Sequence, residues 1–289
     1  MGISEQIKKL EDIRQKIVII YTIAAVIALF IVIYFVSNNG ILGGNMFIVI
    51  AGFITVVALV LTGCGPLMKK FKKEYKEIFL TSVLQDSFDD VIYIWNQGLP
   101  KKTVTESGLV QYGNRYSSED YLSASYKGIH FEQADVDIKN ESGGKNKSTT
   151  TYFKGRMFSF DFPDKKAVSI QIFSNNFQYR GKPEERWKMK KIELEDIDFN
   201  RQFDVKSVDE HEAFYILTPP FMERIKNIKN HFGNLAMHFT HGKLYVGFNS
   251  SRDAFDAPIF GKIDYITEKN RMLEDVQVIK DIIDVLIEG

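Results

Sequence analysis

The sequence has little of what several large classes of protein require. Its 289 residues include a single cysteine, which excludes an intrachain disulfide framework and a zinc site built from several cysteines. Basic and acidic residues number 37 each, and a formal net charge of zero argues against a general nucleic-acid binder. We therefore expect no nucleic-acid partner. The residues after position 68 suffice for one large or two small domains with real cores.

Charge is also missing from two long segments near the N-terminus. Residues 17–36 and residues 46–68 contain no Asp, Glu, Lys, Arg or His. A helix of about 20 apolar residues crosses a bilayer core that is roughly 30 Å thick. The two segments therefore predict transmembrane helices. Because ionisable groups usually mark an ion or proton path, their absence from these segments argues against a transporter.

The residues around these segments predict a hairpin with a defined orientation. The connection, residues 37–45, is rich in the turn formers Asn and Gly and has no Lys or Arg. Basic residues flank the outer ends, namely Lys8, Lys9, Arg14 and Lys16 before the first segment and Lys69, Lys70, Lys72, Lys73 and Lys76 after the second. By the positive-inside rule we expect two spans in the cell membrane, both termini in the cytoplasm, and the five later lysines at the membrane interface.

Cleavable leader sequences are the competing interpretation of the same residues. The first segment is longer than the apolar core of a signal peptide, and no convincing cleavage site follows it. Residues 61–64 read Leu-Thr-Gly-Cys, like a lipoprotein cleavage box, but a neutral connection and a full apolar segment precede them. We therefore favour uncleaved spans, with Cys64 near the cytoplasmic end of the second one.

The remaining residues predict an α+β fold that is mainly antiparallel. Apolar spacing indicates a helix over residues 69–97, with a breaker at Gly98-Leu99-Pro100, and short or amphipathic helices near residues 117–122, 219–233 and 267–286. Alternation indicates strands over residues 128–139, 149–162, 167–173, 190–194, 203–206, 235–239 and 244–248. A change of phase between Phe131 and Ala134 predicts a β-bulge in the first of these strands.

These elements divide the chain into four predicted regions. They are an N-terminal cytosolic tail (residues 1–16), a transmembrane helical hairpin (residues 17–68), a juxtamembrane helix (residues 69–97) and a cytosolic α+β domain with flanking helices (residues 98–289).

Several short motifs in the second half of the chain resemble those of a known family. They are Tyr152-Phe153-Lys154-Gly155, Phe203-Asp204-Val205 with Ser207, Asp209 and Ala213, Tyr215-Ile216-Leu217-Thr218-Pro219, Phe221-Met222-Glu223-Arg224 and Gly242-Lys243-Leu244-Tyr245-Val246. Over roughly residues 70–250 the pattern resembles an uncharacterised family of bacterial membrane proteins, domain of unknown function 3137. The resemblance implies a two-span layout, and it implies no activity, cofactor or catalytic residue.

Histidines and acidic clusters do not predict a catalytic or metal site. His238 and His241 are three residues apart, a spacing that places strand residues on opposite faces, and His231 is the other candidate ligand nearby. The acidic residues within 193–198 and 204–212 lack the spacing of an EF-hand and are interpreted as solvated loops. The sequence has no phosphate-binding glycine loop and no nucleophile elbow. We expect no catalytic residue, no metal and no cofactor.

A basic stretch around one tryptophan is the best candidate for an interaction surface. It contains Arg180, Lys182, Arg186, Trp187 and Lys188. Basic residues near a cytoplasmic leaflet attract anionic lipids, so this stretch predicts a contact with anionic lipid or with a partner. Glu184 and Glu185 dilute the charge, and an ordinary solvated loop is the alternative.

The sequence as a whole favours a membrane-anchored cytosolic interaction or regulatory domain without catalysis. Its expected partners are the lipid bilayer and either a second protein or further copies of the chain. Two alternatives stay open. One is a homo-oligomeric membrane assembly that is pore-like or perturbs the bilayer, and the other is an enzyme with an unrecognised site geometry.

Overall fold

A computed structural model of the chain describes residues 2–37, 46–143, 147–161, 169–183, 185–240, 242–250, 255 and 257–288. The helices in these residues are α1 (Ile3–Ser37), α2 (Met46–Ser87), α3 (Lys101–Glu106), α4 (Ile197–Gln202), α5 (Glu210–Ile216), α6 (Pro219–Phe232) and α7 (Tyr265–Glu288). The strands are β1 (Asp89–Ile94), β2 (Arg115–Tyr126), β3 (Ile129–Glu141), β4 (Thr149–Asp161), β5 (Ile170–Ser174), β6 (Lys190–Ile192), β7 (Phe203–Ser207), β8 (Asn234–Thr240) and β9 (Lys243–Asn249).

The chain forms two compact units, and the predicted α+β class is confirmed. Unit 1 comprises Met1–Val83 and Phe255–Met272, and unit 2 comprises Leu84–Ala254 and Leu273–Gly289. Unit 1 contains the two long N-terminal helices, and unit 2 contains the antiparallel sheet with its flanking helices. Of the predicted connection between the two apolar segments, residues 38–45 lie outside the described residues.

Unit 1 contains two helices that are long and apolar enough to cross a membrane. In their most apolar windows, only 11% and 6% of the residues are buried, whereas a core helix of a soluble protein would be mostly buried. The helices run antiparallel, since a Cβ on Gly52 would lie 2.9 Å from Cδ1 of Ile31 and a Cβ on Gly63 would lie 3.5 Å from Cδ1 of Ile20. Both contacts fit one antiparallel register.

The remainder of unit 1 has its own apolar core. Leu10 and Ile17 of α1 are fully buried, as are Phe71 and Tyr75 of α2 and Phe255. A row of aromatic rings runs along α2 and ends on α7, with centroids 6.3 Å apart for Phe71 and Tyr75, 4.9 Å for Tyr75 and Phe79, and 5.7 Å for Phe79 and Tyr265. Residues 3–16, predicted as a tail, are helical, and Leu10 and Ile13 among them are buried.

Unit 2 is built on one antiparallel sheet. Among the described residues its nine strands follow the order β1-β2-β3-β4-β9-β8-β5-β7-β6. On one face α6 covers the sheet, where Phe221 meets Phe239 at 6.1 Å and Phe232 meets Phe248 at 5.4 Å between ring centroids. The other face carries a cluster that includes Val104, Val136 and Ile138. Apolar side chains therefore pack on both faces of the sheet.

Two helices predicted from the sequence differ in the structure, because one ends early and the other is a strand. The helix predicted over residues 69–97 ends at Ser87, and Asp89–Ile94 forms β1, which pairs with β2. The short helix predicted near residues 117–122 is wrong, because Arg115–Tyr126 is β2 and pairs with β3. In both places, hydrogen bonds to distant residues outweigh the local pattern, as strand formation depends on its neighbours.

The predicted bulge lies on a different strand. Glu119 pairs with Asp135 and Leu122 pairs with Gln133, so two residues of β2 oppose one residue of β3. The apolar residues of β3 change phase because Phe131 lies on one buried face and Ala134 lies on the other. The change of phase in β3 therefore comes from the burial of both of its faces. The bulge lies in the neighbouring strand β2.

Candidate functional site

The five lysines that follow the second apolar segment differ in exposure. Lys69, Lys70 and Lys73 are exposed, and Lys72 is half-buried. Lys70 and Lys73 lie 3.8 Å and 3.7 Å from the carboxylates of Glu74 and Glu77, which are pairs one helical turn apart. The side chain of Lys76 differs, because Lys76 is 2% exposed and belongs to the interior of unit 1. Of the five lysines, Lys69, Lys70 and Lys73 are therefore the exposed ones, and their place at a membrane interface stays a prediction.

The polar end of α1 is joined to a segment from the far end of the chain. Arg14 donates two hydrogen bonds to the carboxylate of Glu11, at 2.9 Å and 2.5 Å. Arg14 Nη1 also donates to the carbonyl oxygen of Ile259 at 3.1 Å. The hydrogen bond from Arg14 lowers the pKa of Glu11, and the same bond raises the pKa of Arg14. This arrangement holds residues near 259 beside the start of the first apolar segment.

The basic stretch around Trp187 separates into a structural residue and a surface group. Arg180 Nη1 donates to Asp204 at 2.5 Å, and its Nη2 donates to the carbonyl of Ser174 at 3.3 Å. The guanidinium carbon also lies 5.0 Å from the ring centroid of Phe173. Arg180 therefore has partners within the fold of unit 2, and its contact with a ligand stays a prediction.

The rest of this stretch lies on the surface of unit 2. Trp187 is 77% exposed, and Lys188 Nζ lies 4.9 Å from its ring centroid. Lys188 also pairs with Glu185 at 3.4 Å, while Lys182 and Arg186 are exposed. We call Lys182, Arg186, Trp187 and Lys188 the Trp187 surface.

His238 is a hydrogen-bonded core residue. It is buried, with Nδ1 2.7 Å from the carbonyl oxygen of Ser107 and Nε2 2.9 Å from Oγ of Ser169. Since a carbonyl oxygen only accepts, Nδ1 carries the proton and Nε2 accepts from the serine. His241 and the side chain of His231 lie outside the described residues. In the part of the chain that the structure describes, no group of three or more His, Cys, Asp and Glu residues could hold a metal ion.

A polar cleft that the sequence does not reveal opens over β2, β3 and β4. Its volume is about 240 Å³, and its lining includes Glu119, Asp135, Asp137 and Lys154. Lys139 pairs with Asp137 at 2.7 Å. Alternation along β3 places Asp135 and Asp137 on one face, and this spacing is the signal by which the cleft could have been found.

A buried ionic and hydrogen-bonded network lies near this cleft. Arg156 Nη2 lies 3.2 Å from Asp275, and Arg156 Nε lies 4.0 Å from Asp135. Tyr93 donates to Asp120 at 2.5 Å, and burial, followed by the charge of Asp120, raises the pKa of Tyr93. Each of these charges has an opposite or hydrogen-bonding neighbour, which is what burial of a charge requires.

Comparison with known families identifies the second half of the chain. Residues 151–287 match the model of a family described as "Protein of unknown function (DUF3137)". The chain contains a DUF3137 domain. The matched residues begin in β4 and extend through most of α7, so the match starts and ends later than residues 70–250, over which the motifs resemble the family.

Other comparisons give one distant structure. No curated protein matches the chain. The crystal structure of the mycobacterial trehalose monomycolate transport factor A, TtfA, is similar over 74% of this chain and 94% of that chain, at 9% sequence identity and a TM-score of 0.37.

Motif residues of the DUF3137 domain have structural roles in this chain. A Cβ on Gly155 would lie 2.0 Å from the carbonyl oxygen of Phe248, so the β4–β9 pairing requires glycine at position 155. Asp204 pairs with Arg180, and Asp209 caps α5 by accepting from the backbone amide of Glu212 at 3.2 Å. Thr218 precedes Pro219 at the start of α6, without a side-chain capping bond. The recognised motifs thus mark the fold of the DUF3137 domain.

Proposed function

We propose that this protein spans the membrane twice and carries a cytosolic binding domain, which is unit 2. The observation that carries the proposal is the pair of apolar helices of which few side chains are buried. Side chains such as Phe30 and Phe53 are stable in that position when lipid surrounds them. α2 ends at Ser87, and β1 begins at Asp89, so the second span connects directly to the binding domain.

The proposed orientation has both termini in the cytoplasm. Lys69, Lys70 and Lys73 are exposed after the second apolar segment, and the connection at residues 37–45 has no lysine or arginine. The positive-inside rule assigns the basic ends to the cytoplasm.

Single-cysteine labelling in intact cells tests this orientation. In a Cys64→Ala background, we expect cysteine at Asn39 to react with a membrane-impermeant maleimide in intact cells. Cysteine at Trp187 should react only after the cells are permeabilised, because unit 2 would be cytosolic. Labelling of position 187 in intact cells would overturn the orientation, and a chain that washes off membranes in carbonate would overturn the spanning helices.

The contact surface that we propose for the binding domain is the Trp187 surface. An exposed tryptophan flanked by Lys182, Arg186 and Lys188 combines a large apolar face with positive charge. Tryptophan and arginine are enriched among the residues that contribute most to protein–protein binding. We therefore favour an acidic protein as the occupant of this surface.

Intact-complex mass measurement after mild extraction from native membranes tests the binding role. We expect a second protein in defined stoichiometry. Trp187→Ala should weaken its binding by about thirtyfold, the effect of losing one dominant contact residue. Tyr215→Ala, at another exposed aromatic residue of unit 2, is the matched control and should leave binding unchanged. A complex made only of this chain would instead favour the homo-oligomeric assembly.

A further inference from the structure

Unit 1 exposes one aromatic ring on a short segment between its apolar residues. Phe260 is 74% exposed, while Phe255 and Ile263 on either side in the sequence are buried. Gly261 has a φ of 109°, and Lys262 is exposed. A single exposed apolar residue is ordinary on a protein surface, so the exposure of Phe260 alone does not indicate a function. Its position relative to the two apolar helices does.

Two contacts fix the position of this segment along α1. Arg14 donates to the carbonyl oxygen of Ile259 at 3.1 Å, and the backbone of Ile263 hydrogen-bonds to Glu11. Both of the α1 residues lie within about two helical turns of Ile17, where the uncharged segment begins. Residues 259–263 are therefore held at the level where α1 changes from charged to apolar.

The second helix reaches the same level. Extension of the antiparallel register set by the Gly52–Ile31 and Gly63–Ile20 contacts brings Lys69 to about the level of Arg14. Lys69 is the first charged residue after the second apolar segment, and it is exposed. The segment that carries Phe260 thus lies beside the boundary that both helices define, and lipid headgroups occupy such a boundary.

We infer that Phe260 inserts into the headgroup region of the lipid bilayer and that Lys262 contacts anionic headgroups beside it. The inference rests on the proposed membrane-spanning role of α1 and α2. Transfer of an aromatic ring from water to the membrane interface is favourable, and an adjacent lysine adds electrostatic attraction to an anionic surface. Unit 1 would then contact the bilayer through three segments, of which residues 259–263 are the one that is not a span.

Quenching of tryptophan fluorescence by brominated lipids tests the insertion. The full chain, in a Trp95→Phe, Trp187→Phe background, is reconstituted into vesicles of phosphatidylcholine and phosphatidylglycerol with bromine near the headgroup or deep in the acyl chains. For Phe260→Trp we expect emission to fall about twofold with shallow bromine and less with deep bromine, because an interfacial ring lies near the headgroups.

Two matched variants separate the possible failures. Phe53→Trp reports the second span and should be quenched by deep bromine, whereas Tyr215→Trp reports exposed unit 2 and should keep its emission. If Phe53→Trp is not quenched, the spanning role itself is wrong. If Phe53→Trp is quenched and Phe260→Trp behaves like Tyr215→Trp, the spans stand and the insertion of Phe260 is overturned. Because Phe260 is exposed, the substitution leaves the core of unit 1 unchanged, and circular dichroism checks this.

Discussion

Gly155→Ala is expected to lower the free energy of unfolding of unit 2 by about 3 kcal/mol, at the upper end of overpacking effects. The added Cβ would lie 2.0 Å from the carbonyl oxygen of Phe248 and 2.9 Å from the backbone nitrogen of Ser250. Both atoms belong to the backbone, so no side-chain rotation relieves the contact, and β4 must move away from β9. Urea denaturation followed by tryptophan fluorescence measures the loss.

Gly247→Ala is the control for this substitution. Gly247 lies in β9, and the nearest atoms to its added Cβ are side-chain atoms of Leu109 and Phe153 at 3.5 Å, an ordinary contact. We expect a change within about 1 kcal/mol. Equal effects of the two alanines would mean that glycine content, and not the close approach of β4 to β9, limits the stability of the sheet.

Arg156→Met is expected to lower the free energy of unfolding of unit 2 by about 3–5 kcal/mol, the usual effect of removing one partner of a buried ion pair. Arg156 and Asp275 have only 12% and 8% of their side-chain surface exposed, and their charged atoms lie 3.2 Å apart. Without the guanidinium, Asp275 and the nearby Asp135 keep negative charge in a poorly solvated site. Urea denaturation in detergent solution measures the change.

The size of this loss in stability depends on the burial of the ion pair and not on the distance between its charged atoms. Arg115 lies 2.8 Å from Glu141, closer than Arg156 lies to Asp275, but the Arg115 side chain is 68% exposed. Arg115→Met should therefore change stability by less than about 1 kcal/mol. Combining Arg156→Met with Asp275→Asn should recover part of the loss, because it removes the uncompensated charge. A double variant that is less stable than Arg156→Met would refute this explanation.

Local signals in the sequence predict the elements whose boundaries depend on nearby residues. Pro219 at the start of α6 and Gly233, with a φ of 88°, at its end are such signals. The hairpin of β8 and β9 follows from alternation and the short connection between them. The periodicity of apolar residues likewise predicts the α+β class, and the length of the two uncharged segments predicts the two long apolar helices.

Elements that depend on distant partners were not predictable from the pattern. The apolar pattern of β1 continues that of the preceding helix, and only pairing with β2 makes this segment a strand. In the sheet, β4 is followed by β9 and β8 and not by β5, an order that no local pattern indicates. The same limit applies to the candidate sites. Arg180 looks like a free basic residue because its partner Asp204 is 24 positions away, and no pattern in the sequence brings Ile259 to Arg14.

The order of the segments in unit 1 has a consequence for biosynthesis. Arg14 and Ile259 are 245 positions apart, and the whole of Leu84–Ala254 is translated between the two parts of this unit. At about 5–20 residues per second, the ribosome needs roughly 9–34 s to add those residues. During that interval the polar end of α1 lacks its contact with the segment near Ile259, whereas the strands of the sheet are synthesised and can fold. A chain that terminates before residue 255 would therefore lack the segment that packs against the polar end of α1.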